Sequence, residues 1–199
     1  KDGSAVAAQT VNHGGTASEP TAPTKTGYEF AGWYADEALT TAWNFETGKI
    51  TADTTLYAKW NINGYTVTFN SNGGSTVESA TVNYNTAVTE PSAPTRTGYT
   101  FDGWFVGETE YDFDTLVTED IELTAKWTAN AFTATFNADN DTTATTATIY
   151  YDGVVTEPAA PTKTGYDFLG WYKAGVDADG VLTPIGKAIS TDIEHTFRM

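Results

Sequence analysis

The sequence predicts a mainly β protein, with at most a small α+β contribution, built from three small repeats that follow one another as an elongated rod. Three observations support this prediction. One phrase occurs three times in 199 residues, apolar and polar residues alternate in several short segments, and glycines and prolines recur at matching places. Self-similarity at a fixed period indicates a repeat architecture, and period-two alternation is typical of half-buried strands.

The recurring phrase combines two prolines with Gly-Tyr and Gly-Trp pairs. Its three copies are SEPTAPTKTGYEFAGWY from Ser18, TEPSAPTRTGYTFDGWF from Thr89 and TEPAAPTKTGYDFLGWY from Thr156. A closing phrase follows each copy: TLYAKW ends at Trp60, ELTAKW at Trp127 and EHTFRM at Met199. The predicted repeats are therefore residues 1–60, 61–127 and 128–199.

The first predicted element is a strand that alternates apolar and polar side chains. In YTVTFN, Tyr65, Val67 and Phe69 lie on one face, and FTATFN repeats the pattern from Phe132. β-Branched and aromatic residues in such alternation predict a strand with one buried face.

A hairpin turn is predicted next, at SNGGS, because its glycines allow positive φ angles. The third repeat has Asn140 and Asp141 where the second has Gly73 and Gly74. Asparagine and aspartate are the other residues that tolerate this conformation, so the substitution also indicates a turn.

The second strand, ESATVNYN, is predicted to direct Ala80, Val82 and Tyr84 toward one face. Pro91 and Pro94 then oppose both helix and central strand, because proline lacks a backbone donor. We expect an extended crossover there, with one helical turn at most.

Gly98 is predicted to turn the chain into a further strand, YTFDGWF. Strict alternation would place Trp104 on the face opposite Tyr99 and Phe101. The last strand is IELTAKW, and the segment before it varies in length and chemistry between repeats, which is typical of a surface connection.

Composition excludes several classes of function. The net charge of -16 and the pI of about 4.2 oppose binding to nucleic acid and to anionic membrane surfaces. The absence of cysteine excludes disulfides and thiolate metal sites, and no apolar run is long enough for membrane insertion of this segment. The chain starts at Lys1 and has no signal peptide, as expected for a fragment of a mature protein.

The phrases VTFNSNGG, TVNYNTAVTEPSAPTRTGYTFDGWF and LYAKW or LTAKW together resemble the Listeria–Bacteroides repeat, also called the internalin B-repeat family. The resemblance covers essentially all three repeats. It implies a β-grasp-like fold with a small curved sheet, and an extracellular location on the bacterial cell surface or cell wall. It also implies no catalytic residue and no cofactor.

Two departures from the pattern concern the chain ends. The third repeat closes with HTFRM in place of LTAKW, so its last strand is atypical. The first repeat lacks its first strand, because the segment from Gly3 aligns with the segment from Gly74. An open sheet edge there would allow strand complementation or self-association. The alternative interpretation is an arbitrary boundary or a disordered terminus.

Candidate ligand sites are weak. Asp177 and Asp179 resemble half of a calcium loop whose closing glutamate is absent. His13 aligns with core-facing tyrosines, and His195 lies far away in sequence, so a shared metal or catalytic site is not expected. Nucleophile elbows, phosphate loops and zinc motifs are absent, which predicts a protein that is not an enzyme.

A row of tryptophans is the remaining candidate binding site: Trp33, Trp104 and Trp171. On the outer face they could stack against sugars of a glycan. An aromatic residue at a fixed place in each repeat is more often part of the core or of packing between repeats.

The leading functional hypothesis is a spacer or stalk of a bacterial surface protein. Short links between repeats, NINGY and TANAF, would restrict swinging. The alternatives are an adhesive module that binds a host or neighbouring-cell surface protein or glycan, and a strand-complemented component that assembles with itself. The spacer is favoured because glycine, proline and aromatic residues recur, whereas polar contact residues do not.

Overall fold

The computed structural model describes residues 3–176, 182–184 and 192–198; side chains are described through residue 172. Within these ranges the regular structure is all strand, so the mainly β prediction is confirmed. The proline-rich crossover contains no helical turn: the segment from Thr89 to Arg96 is irregular. Prolines at Pro91 and Pro94 remove two of the donors that such a turn would need.

Fourteen strands lie in the described ranges. The first repeat contains β1 (Tyr28–Tyr34) and β2 (Tyr57–Ile62). The second contains β3 (Gly64–Asn70), β4 (Ala80–Asn83), β5 (Thr86–Ala87), β6 (Tyr99–Val106), β7 (Thr109–Glu110), β8 (Leu116–Val117) and β9 (Ile121–Ala129). The third contains β10 (Ala131–Asn137), β11 (Thr145–Tyr150), β12 (Asp167–Val176), β13 (Leu182–Pro184) and β14 (Asp192–Arg198).

The second and third repeats build five-stranded sheets of equivalent order. The second has β4-β3-β9-β6-β7 and the third has β11-β10-β14-β12-β13. The first strand of each repeat pairs in parallel with the last, in registers that include Phe69 opposite Leu123 and Phe136 opposite Ile193. The atypical last strand of the third repeat, β14, therefore occupies the same central place as β9.

The chain divides into two compact units, and the division passes through the second repeat. One unit contains the described residues through Ser71, with Thr76–Ser92 and Trp104–Thr124. The other contains Asn72–Ser75, Ala93–Gly103 and the described residues from Ala125 onward. Each unit contains one junction between successive repeats.

The core of each complete repeat centres on a phenylalanine from the first strand and a tryptophan. The Phe69 and Trp104 rings lie 5.0 Å apart, and the Phe136 and Trp171 rings lie 5.2 Å apart, both edge to face. Such pairs contribute beyond the apolar area that they bury. Other buried apolar residues are Val67, Val88, Val117, Leu123, Ala125, Ala134 and Ala138.

A β-bulge places the recurring tryptophan on the same face of the sheet as the preceding phenylalanine, not on the opposite face as predicted. The pairing of β1 with β2 shifts between Phe30 and Gly32, where φ is +115°. One extra residue reverses the alternation, and Trp33 then lies against Phe30, with ring centroids 5.5 Å apart. The prediction that this tryptophan faces away from the phenylalanine is therefore wrong.

The same correction applies to the other repeats. Gly103 and Gly170 have φ of +136° and +131°, and the register of β12 with β14 shifts between Phe168 and Trp171. Trp104 is 1% exposed and Trp171 is 8% exposed.

The predicted hairpin turns form, with a shift of residues in the third repeat. Asn72 and Gly73 have positive φ in the second repeat, so the prediction is right for Gly73 and wrong for Gly74. In the third, the left-handed residues are Asp139 and Asp141, so the prediction is right for Asp141 and wrong for Asn140. The side chain of Asn140 instead donates to the Thr162 carbonyl at 3.0 Å and fastens the turn to the crossover.

Candidate functional site: the junctions between repeats

Each Lys/Arg-Thr-Gly-Tyr segment forms the same tight turn. The Tyr28 N–H donates to the Lys25 carbonyl at 3.0 Å, and Gly27 has φ of +75°. A positive φ at the third residue is the requirement of a type II turn, which glycine meets without strain. The turns at Gly98 and Gly165 have φ of +79° and +82° and the same backbone hydrogen bond.

The glycine of this turn also receives a tyrosine from the next repeat. An ideal Cβ atom on Gly27 would overlap the ring of Tyr84, far inside van der Waals contact. A Cβ atom on Gly98 would overlap Tyr151 in the same way. The position therefore needs glycine for two reasons, the turn and the close approach of the ring.

An asparagine in the link between repeats connects this glycine and this tyrosine through the backbone. At the first junction, the Asn63 N–H donates to the Gly27 carbonyl at 2.9 Å, and the Tyr84 N–H donates to the Asn63 carbonyl at 2.8 Å. At the second, Asn130 joins Gly98 and Tyr151 with the same two distances. The two junctions are therefore copies of one arrangement.

Aromatic and cationic groups surround the junction. Tyr84 packs edge to face against Tyr28 at 6.5 Å between ring centroids, and Tyr151 packs in the same way against Tyr99 at 5.7 Å. A cation also lies over the ring of the turn tyrosine: the Cζ atom of Arg96 is 3.9 Å from the centroid of Tyr99. Lys25 lies 4.1 Å from Tyr28 and Lys163 lies 5.1 Å from Tyr166.

The second junction has an additional side-chain contact. The Thr100 hydroxyl donates to the Oδ1 atom of Asn130 at 2.8 Å, next to the backbone bridge. The residue that aligns with Thr100 in the first repeat is Glu29. The shared part of the junction is therefore the backbone and ring arrangement.

The structure describes the three tryptophans of the predicted binding row and buries two of them. The indoles of Trp104 and Trp171 are buried, so a sugar could stack on them only if the surrounding core residues moved apart. The indole of Trp33 is half-buried. Asp177 and Asp179 lie outside the described residues. Within the part of the chain that is described, no group of three His, Cys, Asp or Glu residues could hold a metal ion.

The two histidines have different surroundings from those expected. His13 is exposed, whereas the aligned Tyr84 and Tyr151 are half-buried at the junctions. The prediction of an ordinary core position is therefore wrong, because this position belongs to the contact between repeats. The backbone of His195 lies in β14, opposite Trp171.

Sequence reasoning missed the bridging asparagines. Asn63 and Asn130 each lie three residues after the closing tryptophan of a repeat, Trp60 or Trp127. That constant spacing was the available signal. It was inconspicuous because the asparagine bridges through its backbone groups, which any residue other than proline possesses.

Comparisons with known proteins match these repeats. The family model of the Listeria-Bacteroides repeat domain matches residues 1–59, 65–126 and 132–183. A protein of Evansella cellulosilytica that is named as a membrane protein is 48% identical over 159 residues, which are 78% of this chain and 24% of that protein. A second protein of this organism, named as a Gly-rich membrane protein, is 41% identical over 86% of this chain and 20% of its own length.

An internalin is also among the relatives. Internalin H of Listeria monocytogenes is 47% identical over 118 residues, which are 56% of this chain and 21% of that protein. The chain thus spans a quarter or less of each of these relatives, and no solved structure matches it. In the described residues, no helix is sufficiently long and apolar to cross a membrane. The three matched repeats show that the chain belongs to the Listeria-Bacteroides repeat family.

Proposed function

We propose that this chain is a non-catalytic repeat region of a bacterial surface protein and acts there as a spacer or stalk. The names of its relatives support a surface location, since they include an internalin and two proteins named as membrane proteins. Two observations support a non-catalytic role. The matched repeats cover most of the chain, and their sequences contain no catalytic motif.

The observation that carries the spacer proposal is the duplicated junction. In both copies a tyrosine ring fits against a glycine that has no room for a side chain, and an asparagine bridges the same two residues. A spacer must transmit a fixed separation, and short bridged links resist bending because they provide little slack.

The test is a distance distribution between spin labels on successive repeats. The chain has no cysteine, so two can be introduced for labelling at exposed positions, Thr109 in the second repeat and Thr146 in the third. A spacer predicts one narrow distance peak. Tyr151→Ala should broaden it, because the ring that fills the junction is lost.

Tyr150→Ala is the matched control, because Tyr150 is the adjacent tyrosine and is 59% exposed. It should leave the peak narrow. A broad distribution in the unmodified chain would contradict the spacer proposal and favour a flexible link between adhesive modules. Saturable binding of a host protein or glycan would support that alternative directly.

A further inference from the structure

We propose that Asn63 is a site of spontaneous deamidation, which places an aspartate or isoaspartate in the link between the first and second repeats. Asparagine is a thermally labile residue. It reacts most readily before glycine, because glycine has no Cβ atom to hinder its backbone nitrogen. The sequence contains two Asn-Gly pairs, Asn63-Gly64 and Asn72-Gly73, and their surroundings differ. The modification does not depend on the spacer role.

The reaction needs only the chain, a solvent base and water. The backbone nitrogen of Gly64 loses its proton to the base and attacks the Cγ atom of Asn63. The new N–C bond closes a succinimide ring, the bond from Cγ to the side-chain nitrogen breaks, and that nitrogen takes up a solvent proton and leaves as ammonia. Water then opens the ring at one of its two carbonyls, which yields aspartate or isoaspartate.

The side chain of Asn63 is free to react. Asn63 is the single residue between β2 and β3 and belongs to neither strand. Its backbone groups bridge Gly27 and Tyr84, but its carboxamide makes no hydrogen bond within the described residues. Asn63 is half-buried and Gly64 is exposed, so base and water can reach the reacting atoms.

The backbone nitrogen of Gly64 is also outside the hydrogen-bond ladder. Gly64 lies opposite Asn83 in β4. Because the next pair bonds through the Tyr84 N–H and the Asn63 carbonyl, and bonded pairs alternate with unbonded ones, Gly64 and Asn83 exchange no hydrogen bonds. The Gly64 N–H therefore points away from β4, to the side where β9 pairs with β3 only from Val67 onward.

Asn72, in the other Asn-Gly pair, is held in place. Its carboxamide nitrogen donates to the Ala125 carbonyl at 3.2 Å, and its own carbonyl accepts Nη1 of Arg96 at 3.2 Å. The two hydrogen bonds fix the carboxamide and the peptide group that would have to approach each other. We therefore expect the turn of the second repeat to be modified more slowly than the link.

The second junction lacks the reactive pair. Asn130 bridges that junction as Asn63 bridges the first, but the residue after it is Ala131. The Cβ atom of Ala131 hinders the attacking nitrogen, and the carboxamide of Asn130 is oriented by the Thr100 hydroxyl at 2.8 Å. Two junctions with the same backbone arrangement therefore differ in chemical stability.

The products change the first junction in two ways. Both of them add a negative charge to the link. Isoaspartate also redirects the chain through Cγ, which inserts one methylene into the backbone and turns the former backbone carbonyl into a carboxylate. That carbonyl accepts the Tyr84 N–H at 2.8 Å, so the modified link cannot keep the geometry of the bridge.

The experiment incubates the folded chain at neutral pH and follows each asparagine by peptide mapping with mass spectrometry. We expect deamidation of Asn63 to be at least tenfold faster than that of Asn72 or Asn130. The rate should rise with pH, because the attacking nitrogen must lose its proton. In guanidinium chloride, Asn63 and Asn72 should react at similar rates, since unfolding removes the hydrogen bonds that hold Asn72.

Gly64→Ala tests the role of the glycine. An ideal Cβ atom on Gly64 would lie 3.4 Å from Cγ2 of Thr81, an ordinary contact, so the variant should fold, as backbone amide spectra can verify. It should slow deamidation of Asn63 at least tenfold. An unchanged rate in this variant would overturn the proposal. Equal rates at Asn63 and Asn72 in the folded chain would also overturn it.

Discussion

The ring of Tyr151 fills the space that a side chain at Gly98 would need, and Tyr84 fills the same space at Gly27. Gly165 forms the same turn with φ of +82°, but no atom of the described residues lies within 4 Å of its ideal Cβ position. Comparison of the three glycines therefore distinguishes two reasons for glycine at this position. All three meet the conformational requirement of the turn, and two of them also meet a packing requirement of the junction.

Gly98→Ala should destabilise the chain more than Gly165→Ala. Both substitutions place a Cβ atom at a left-handed residue, which costs about 1–2 kcal/mol. Only Gly98→Ala also forces the Tyr151 ring away, and overpacking of this kind adds about 1–3 kcal/mol. Native-state hydrogen exchange of the third repeat's β10 and β11 measures the difference. Equal losses for the two variants would show that the ring does not constrain Gly98.

Trp104→Ala should cost more stability than Trp33→Ala. Trp104 is almost fully buried beside Phe69, so its truncation should cost about 3–5 kcal/mol. Trp33 is only half-buried, and we expect its truncation to cost about 1–2 kcal/mol. Urea unfolding monitored by amide resonances of each repeat compares the two losses. A larger loss for Trp33→Ala would contradict the view that the burial of each indole sets the cost of its truncation.

Arg96→Lys should retain the stability of the wild type, whereas Arg96→Ala should lose about 0.5–1 kcal/mol. The guanidinium lies over Tyr99, and its Nη1 donates to the Asn72 carbonyl at 3.2 Å. In the third repeat, the aligned Lys163 makes the equivalent contacts: it lies over Tyr166, and its Nζ donates to the Asp139 carbonyl at 2.6 Å. Thermal unfolding of both variants provides the test. A Lys variant as unstable as the Ala variant would show that the planar guanidinium is required.

The Asp36 loop should loosen in acid. Backbone N–H groups of Thr40 and Thr41 donate to the carboxylate at 3.1 and 2.8 Å and hold the pKa of Asp36 below its ordinary value. Because the folded pKa is the lower one, the contribution of Asp36 to stability is present above the unfolded pKa. It is lost as the pH falls through the folded pKa.

A carbon-detected NMR titration of the Asp36 carboxyl measures this pKa. Asp36→Asn should remove this part of the acid dependence and serves as the control. A midpoint at or above the ordinary aspartate value would contradict the proposed capping of the loop.

Local pattern was sufficient to predict most of the strands and turns. The alternation in YTVTFN predicted β3 because side chains of a strand with one buried face must alternate, and Val67 and Phe69 are indeed buried. The recurring Gly-Tyr pair predicted the turns because few residues other than glycine adopt positive φ without strain.

Long-range pairing could not be predicted in the same way. The parallel pairing of β3 with β9 joins residues 54 positions apart, such as Val67 and Ile121, and no local signal specifies it. The bulge before Trp33 inserts one residue into one strand, and this insertion is visible only against the partner strand. The role of Tyr84 was missed because alternation identifies a buried face but not the repeat that covers it.

Hydrogen exchange of the Asn130 and Tyr151 amides tests the junction most directly. These two N–H groups donate to Gly98 and Asn130 and so bridge the second and third repeats. A fixed junction predicts that both amides are protected to a degree comparable with the central amides of β10. Exchange of both at the rate of an unstructured peptide of the same sequence would contradict a fixed junction, and with it the spacer proposal.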